Sequence, residues 1–245
     1  MGYYSDQDGI HQRFAREAEN WNEHLTKTKN FIIHACKNKN CQKAAILGSG
    51  WLLDVPLIEL CEYFKEVWLF DIRHPAWVRH KIRNLKNVHL VECDITCFAV
   101  HIYEAIRNRS KNKEAIAWDL LRPVTDLSLD DFDFIVSCNL LDQLDDIPVE
   151  YIRNHGRIDE EAEQILRKKI QQSHLRLLPV SKSCIITDME ELLVDSQEQI
   201  VHKKKLVYTS IPDPTHIETW IWKFDRQGRY NPHFQTWFAV EAFEI

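Results

Sequence analysis

Two glycines, two carboxylates and one amide stand where short apolar runs of the chain end. Gly48 and Gly50 follow the first run, Asp71 closes the second, and Asp94 and Asn139 follow two later ones. Glycine lets a backbone approach a ligand where a Cβ atom would clash. A carboxylate can accept hydrogen bonds from both hydroxyls of one ribose. The set therefore predicts a site for the adenosine end of a nucleotide cofactor.

Each of these polar residues must be positioned by a strand. Five short apolar runs are typical of buried parallel strands, and they are Ala44–Leu47, Val67–Asp71, Val88–Cys93, Phe132–Cys138 and Ser183–Asp188. Helical patterns lie between them, and regular alternation of strand and helix indicates an α/β fold with a doubly wound, mostly parallel sheet. The polar residues would then meet at one edge of that sheet.

The helices next to the glycine turn are predicted in more detail. Asp54 is expected to cap the first of them, with Pro56 in its first turn, because proline there sacrifices no intrahelical hydrogen bond. In the helix that Pro75 opens, Trp77 and two aliphatic residues are expected to face inward.

The two ends of the chain differ from this alternation. Apolar residues three or four apart between residues 10 and 36 predict one or two amphipathic helices, broken near Thr26–Asn30. Two aromatic-rich runs, Glu218–Asp225 and Phe234–Glu244, predict an antiparallel hairpin. We expect a sheet of about seven strands in a domain spanning residues 43–245, with a helical addition over residues 1–42.

Composition narrows the classes of function. A net charge of −6 gives no global field that attracts nucleic acid, so a nucleic-acid partner is disfavoured. Neither a signal peptide nor a run long enough to span a bilayer is evident, which predicts a cytoplasmic protein without a membrane partner. The seven cysteines are odd in number and mostly sit in apolar runs, so we expect reduced thiols and no metal site.

The ordered motifs resemble those of the class I S-adenosylmethionine-dependent methyltransferases from about residue 43 onward. The glycine-rich loop of that family is matched by Leu47-Gly48-Ser49-Gly50, and the acid that holds the ribose hydroxyls by Asp71 in VWLFDI. Asp94 in HLVECDIT matches the acid near the adenine amino group. The terminal hairpin also belongs to the family's sheet.

The resemblance implies S-adenosylmethionine as the cofactor. It also implies a binding set that comprises Leu47, Gly48, Ser49, Gly50, Asp71, Ile72, Asp94, Ile95 and Asn139. Within this set, the isoleucines that follow the two acids could sandwich the adenine ring. The implied activity is transfer of a methyl group to a small molecule or to a protein side chain.

The loop departs from the family pattern. Many members carry an acid two residues before the first glycine and another glycine two residues after the second, where this chain has Ile46 and Leu52. Two alternatives stay open. One is a dinucleotide-dependent oxidoreductase, although its third glycine is replaced here by Leu53. The other is a catalytically silent binding protein in which Trp51 and Leu52 fill the donor pocket.

The acceptor side has three candidates, Asn139, Asp142 and Gln143, which follow the fourth strand in CNLLDQLDD. Their alternative interpretation is a helix cap and the exposed first turn of that helix. The segment lacks the Asn-Pro-Pro-aromatic signature of methyltransferases that act on planar amino groups of bases. The sequence does not indicate the methyl acceptor, a catalytic base or the oligomeric state.

Overall fold

The molecule is organised around one eight-stranded sheet. The computed structural model describes residues 1–37, 39–112, 116, 118–123 and 127–245. The strands are β1 (Lys43–Leu47), β2 (Glu66–Asp71), β3 (Val88–Glu92), β4 (Phe134–Cys138), β5 (Ser183–Val194), β6 (Ile200–Lys205), β7 (His216–Asp225) and β8 (Gln235–Glu244). The helices are α1 (Tyr3–Cys36), α2 (Leu57–Tyr63), α3 (Ala76–Ile82), α4 (Ala99–Asn112), α5 (Asp146–His155) and α6 (Glu160–Leu177), with a 3₁₀ turn at Trp118–Leu120.

The strand order in the sheet is β3-β2-β1-β4-β5-β8-β7, and β6 pairs with the far half of β5. Strands β1 to β5 pair in parallel. Strands β6, β7 and β8 add antiparallel pairs, so that β8 lies between β5 and β7. The predicted α/β class, the mostly parallel sheet and the terminal hairpin are confirmed. The order reverses between β1 and β4, which creates a crevice at the carboxyl ends of the strands.

The sheet is covered on both faces. Along β1, Ala44 and Ile46 enter the hydrophobic core on one face, while Ala45 and Leu47 enter the core on the other. Helices α1, α2 and α3 pack on the first face and α4, α5 and α6 on the second. A strand buried on both sides is apolar throughout, which is why the short apolar runs identified these strands.

The N-terminal helix α1 lies against β7. Its buried residues follow one stripe that includes Trp21, Thr28 and Phe31, so the helix runs without interruption through Thr26–Asn30. The predicted break there was wrong, because Thr28 packs as a core residue within a segment that looks polar. The helix instead kinks at Glu17, whose backbone leaves helical geometry at φ −111° and ψ 16°.

Three further expectations were also wrong. Trp77 is exposed on α3, where only Val78 and Ile82 are buried. Asp54 caps no helix, because α2 begins after Pro56 and has no side-chain cap. The sheet has an eighth strand, β6, which was missed because every one of its residues is exposed. Such a strand has no apolar face to generate an alternating pattern.

Two other features concern the helices and the thiols. In the ranges given above, no helix is both long enough and apolar enough to cross a membrane. The side chains of Cys36, Cys97, Cys138 and Cys184 are buried.

Candidate cofactor and acceptor site

A cavity of about 560 Å³ opens at the crevice beyond the carboxyl ends of the parallel strands. Its position is the one where open α/β sheets bind ligands. Most of the predicted site residues line it, namely Gly48, Gly50, Asp71, Ile72, Asp94, Ile95, Asn139, Asp142 and Gln143. The structure therefore brings together the residues that four separate strand ends contribute.

The glycine turn after β1 is held against two neighbouring strands. The backbone NH groups of Gly48 and Ser49 donate to the carbonyl of Phe70 on β2, at 3.0 and 3.3 Å. Gly48 has a φ of +77°, and an added Cβ would lie 2.9 Å from the carbonyl oxygen of Cys138 on β4. The backbone of β4 therefore leaves no room for a side chain at Gly48.

The side chains of Leu47 and Ser49 are buried outside the cavity. These two residues can reach a ligand only through their backbone, and their assignment to the cofactor site stays a prediction. Leu52 is also in the core, with 3% of its surface exposed and a φ of 57°. Trp51, in contrast, lines the cavity.

Asp71 ties the end of β2 to the glycine turn. Its Oδ2 accepts a hydrogen bond from the NH of Gly50 at 2.7 Å, and its Oδ1 accepts one from the NH of Ile72 at 2.8 Å. Burial raises the pKa of this carboxyl, and the bond from Gly50 opposes that increase. The carboxyl is thus fixed in orientation at the cavity edge, where charge-assisted hydrogen bonds to hydroxyls are strong.

The first turns of α1 cover this edge of the cavity. The side-chain amide of Gln7 donates to Oδ1 of Asp71 at 3.0 Å and to the carbonyl of Arg73 at 2.9 Å. The indole NH of Trp51 donates to the carbonyl of Gln7 at 2.7 Å. Tyr3 also lines the cavity, and burial followed by the charge of Asp94 raises the pKa of its phenol. Sequence analysis did not indicate Gln7, because this residue stands outside every motif.

Asp94 already has donors within its own loop. Its Oδ1 accepts from the NH of Thr96 at 2.9 Å and from the hydroxyl of that residue at 2.6 Å. Its Oδ2 accepts from the NH of Ala99 at 3.0 Å, where α4 begins. Asp94 thus stabilises the start of α4, and its contact with an adenine amino group stays a prediction.

Asn139 is held in a left-handed conformation, with a φ of 46°, directly after β4. Its amide nitrogen donates to Oδ2 of Asp54 at 2.7 Å and lies 3.3 Å from Nε2 of His24. Its Oδ1 is buried and has no hydrogen-bond partner among the described residues. Burial raises the pKa of Asp54 and lowers that of His24 to about 3, so the histidine is neutral.

The other two acceptor candidates differ in environment. Asp142 is buried, and its Oδ1 accepts from the hydroxyl of Thr187 at 2.8 Å and from the NH of Asp188 at 3.3 Å. Gln143 is exposed and donates to the carbonyl of Asn139 at 2.9 Å. Helix α5 begins only at Asp146, after the N-cap residue Asp145, so neither candidate caps it. Asp188 lines the same cavity and was missed, although it closes the fifth apolar run of the sequence as Asp71 closes the second.

The strand order and the position of the site define the class of fold. Five parallel strands in the order β3-β2-β1-β4-β5, closed by an antiparallel hairpin whose last strand is inserted next to β5, form the class I methyltransferase fold.

Among the solved structures that resemble this one, two are named methyltransferases and a third is a complex with SAM. N-methyltransferase NodS from Bradyrhizobium japonicum WM9 is 9% identical, with a TM-score of 0.41 over 93% of this chain and 98% of that one. The 1,6-didemethyltoxoflavin-N1-methyltransferase of Burkholderia thailandensis is 10% identical, with a TM-score of 0.42 over 97% and 86%. A complex of DhpI with SAM and HEP is 8% identical, with a TM-score of 0.41 over 100% and 99%. Since all three TM-scores are below 0.5, the strand order alone carries the fold assignment.

No protein-family model matches the sequence, and no curated protein matches it.

Proposed function

We propose that this protein is an S-adenosylmethionine-dependent methyltransferase that acts on a small molecule or on a protein side chain. The observation that carries the proposal is the 2.7 Å bond from the NH of Gly50 to Asp71, at the edge of the open cavity. This bond joins the glycine turn to a carboxylate that can accept hydrogen bonds from ribose hydroxyls. It also leaves Oδ2 of Asp71 with room for a second donor.

The residues around the cavity fit the adenosine end of this cofactor. An added Cβ at Gly50 would have no atom nearer than the carbonyl oxygen of Gly48 at 3.9 Å, so this position is open toward a ligand. Ile72 and Ile95 line the same cavity and would border the adenine ring. The unpartnered Oδ1 of Asn139 offers an acceptor near the end of β4.

Methyl transfer from S-adenosylmethionine requires little acid or base catalysis by the protein. When bound, S-adenosylmethionine supplies a methyl group that its sulfonium already activates. The residues of this protein would hold the ribose at Asp71 and present the acceptor in line with the methyl. A base is needed only where the acceptor must lose a proton. Residues of α1 line the cavity on one side and residues of the β7–β8 hairpin line it on the other.

The structure bears on both alternatives. In the dinucleotide fingerprint the third glycine allows a helix to pack closely on a strand, whereas Leu53 at this position lines the cavity. Of the two residues that would fill the donor pocket of a silent protein, Leu52 lies in the core, whereas Trp51 lines the cavity. Neither alternative is favoured.

Titration calorimetry with S-adenosylmethionine, S-adenosylhomocysteine and NAD tests the proposal. We expect one molecule of either sulfur-containing ligand to bind per chain, and NAD not to bind. Binding of NAD alone would indicate the oxidoreductase, and binding of none of the three ligands would indicate the silent protein.

A further inference from the structure

We propose that the methyl acceptor is an amine whose nitrogen binds at the paired carboxyl groups of Asp142 and Asp188. This inference rests on the proposed function, because it places the acceptor in the same cavity as the methyl donor. It adds the chemical class of the substrate, which neither the fold nor the motifs indicate.

The two carboxyl groups are brought together by adjacent parallel strands. Asp142 follows β4, Asp188 lies in β5, and the two strands pair in parallel as far as Cys138 and Ile186. The backbone NH of Asp188 donates to Oδ1 of Asp142 at 3.3 Å. Both side chains line the cavity, and 5% and 2% of their surfaces are exposed. Asn139, three residues before Asp142, lines the same cavity, so the pair lies on the β4 side of the cofactor site.

The hydrogen-bonding capacity of this pair is not used up by the protein. Oδ1 of Asp142 accepts from the hydroxyl of Thr187 and from the NH of Asp188. Oδ1 of Asp188 is shielded from solvent and has no partner in the described part of the chain. Because a buried polar atom without a partner costs free energy, such atoms point to a ligand that supplies donors.

The pair of carboxyl groups, Asp142 and Asp188, provides a negatively charged site. Burial and, to a smaller degree, the charge of Asp146 raise the pKa of Asp142 to about 6. Burial, and then the charge of Asp142, raise the pKa of Asp188 well above its ordinary value. The two carboxyl groups therefore favour carrying a single negative charge between them. An ammonium ion would neutralise it.

The cations that line the cavity are engaged elsewhere. On α6, Arg167 binds Asp145, Asp146 and Glu163, and Arg153 of α5 also binds Glu163.

The remaining two lining cations lie on β6 and α1. Lys204 of β6 is 3.8 Å from Glu191 of β5. The Arg13 guanidinium lies over the rings of Phe224 and Tyr230, at 5.5 and 5.9 Å from their centroids. Glu150 of α5 adds another carboxylate to the cavity. Among the described residues, no cation forms an ion pair with Asp142 or Asp188, so the neutralising charge has to come from the ligand.

Aromatic rings supply a wall for the body of such a substrate. Trp222 and Phe224 of β7 and Phe238 of β8 line the same cavity as the two carboxyl groups. The faces of aromatic rings attract cations and also pack well against hydrocarbon. The indole NH of Trp222 is buried without a partner among the described residues, so the wall can also donate one hydrogen bond.

The chemistry balances without a further reagent. An ammonium group gives one proton to the carboxylate of Asp142 and becomes a neutral amine. The lone pair of its nitrogen forms a bond to the methyl carbon, and the bond from that carbon to sulfur breaks with its electron pair remaining on sulfur. The methylated ammonium product and S-adenosylhomocysteine leave, and Asp142 returns its proton to solvent.

Calorimetry with matched probes tests this inference. Phenethylamine and tryptamine are each compared with the alcohol of the same skeleton, 2-phenylethanol and tryptophol, on the free protein and on its complex with S-adenosylhomocysteine. We expect at least one amine to bind about tenfold or more tightly than its alcohol, as expected for a charge-assisted hydrogen bond. The same preference is expected to fall about tenfold in Asp188→Asn and Asp142→Asn. It is expected to persist in the control Glu161→Gln, which changes an exposed acid that does not line the cavity.

The outcomes separate the two proposals. If S-adenosylhomocysteine binds but the wild-type protein prefers neither amine, the amine inference is wrong and the proposed function stands. If the amine preference survives both Asp→Asn substitutions, the nitrogen binds elsewhere and the inference is again wrong. If an amine is preferred but S-adenosylhomocysteine does not bind, the proposed function fails while the amine site stands. Should a variant fail to fold, the wild-type comparison of amine with alcohol decides.

Discussion

The side-chain amide of Gln7 donates a hydrogen bond to Oδ1 of Asp71 over 3.0 Å, across 64 residues of chain. The same oxygen also accepts from the NH of Ile72, and Oδ2 accepts from the NH of Gly50. A carboxylate oxygen has about two lone pairs, so Oδ1 is fully used and Oδ2 can accept one further bond. Two ribose hydroxyls need one acceptor site on each oxygen, so Gln7 competes with the cofactor for Asp71.

Gln7→Ala should therefore tighten the binding of S-adenosylhomocysteine. Removing one competing hydrogen bond, worth about 1 kcal/mol, predicts an affinity about fivefold higher. Calorimetry measures the change, and Gln12→Ala on an exposed part of the same helix serves as the control. Weaker binding by Gln7→Ala would show that Gln7 supports the ligand instead of competing with it.

The two glycines of the turn should respond differently to alanine. In Gly48→Ala the new Cβ would meet the carbonyl oxygen of Cys138 at 2.9 Å in a left-handed backbone. The expected loss of stability is about 2 to 5 kcal/mol, from the backbone conformation and the overpacking together. In Gly50→Ala the new Cβ would meet open space, so the expected loss of stability is about 1 to 2 kcal/mol. Urea unfolding measures the loss in each variant. Equal losses for the two variants would contradict the described turn.

Much of the fold was predictable because burial on both faces makes central strands apolar. The sequence could not place β6, whose residues are all exposed, or the kink at Glu17. Asp71 was predicted because it stands at the end of a strand, and Asp142 because it follows the end of another. Gln7 could not be found in this way, since its role arises from a contact with a residue 64 positions away. Asp188 closes the fifth apolar run and could have been found, but its contact with Asp142 was not visible in the sequence.

The stability of the protein should depend on His24 in mildly acidic solution. Burial lowers the pKa of His24 from 6.5 to about 3, so between these values the unfolded chain binds a proton that the native protein does not. Stability from this residue is complete above pH 6.5 and falls as the pH drops through that window.

Unfolding in urea at pH 6 and pH 5 measures the effect of His24. For each unit by which the pH falls, the free energy of unfolding of the wild type should decrease by about 1.4 kcal/mol relative to that of His24→Gln. The exposed His202, changed to Gln, should show no such shift. A parallel pH dependence of wild type and His24→Gln would mean that His24 is not buried as a neutral ring.

Trp21 connects α1 to the hairpin that forms the far wall of the cavity. Its indole NH donates to the carbonyl of Phe224 at 2.7 Å, and only 2% of the residue is exposed. Trp21→Phe would leave that carbonyl without its donor and should lower the free energy of unfolding by about 1 to 3 kcal/mol. Trp77→Phe, at a tryptophan that is 52% exposed, should change it by less than about 0.5 kcal/mol. Similar losses in the two variants would contradict this placement of Trp21.

The most direct test of whether Asp71 holds the ribose is the binding of S-adenosylhomocysteine to Asp71→Ala. The affinity of this variant is compared with the affinities of the wild type and of Asp8→Ala. Asp8 is an exposed acid that pairs with Arg73 nearby, so its removal controls for the general loss of negative charge. With the fold verified by circular dichroism, Asp71→Ala should weaken binding by about 1 to 3 kcal/mol, or about 5- to 150-fold. Asp8→Ala should leave the affinity near that of wild type. An unchanged affinity in Asp71→Ala would contradict the placement of the cofactor.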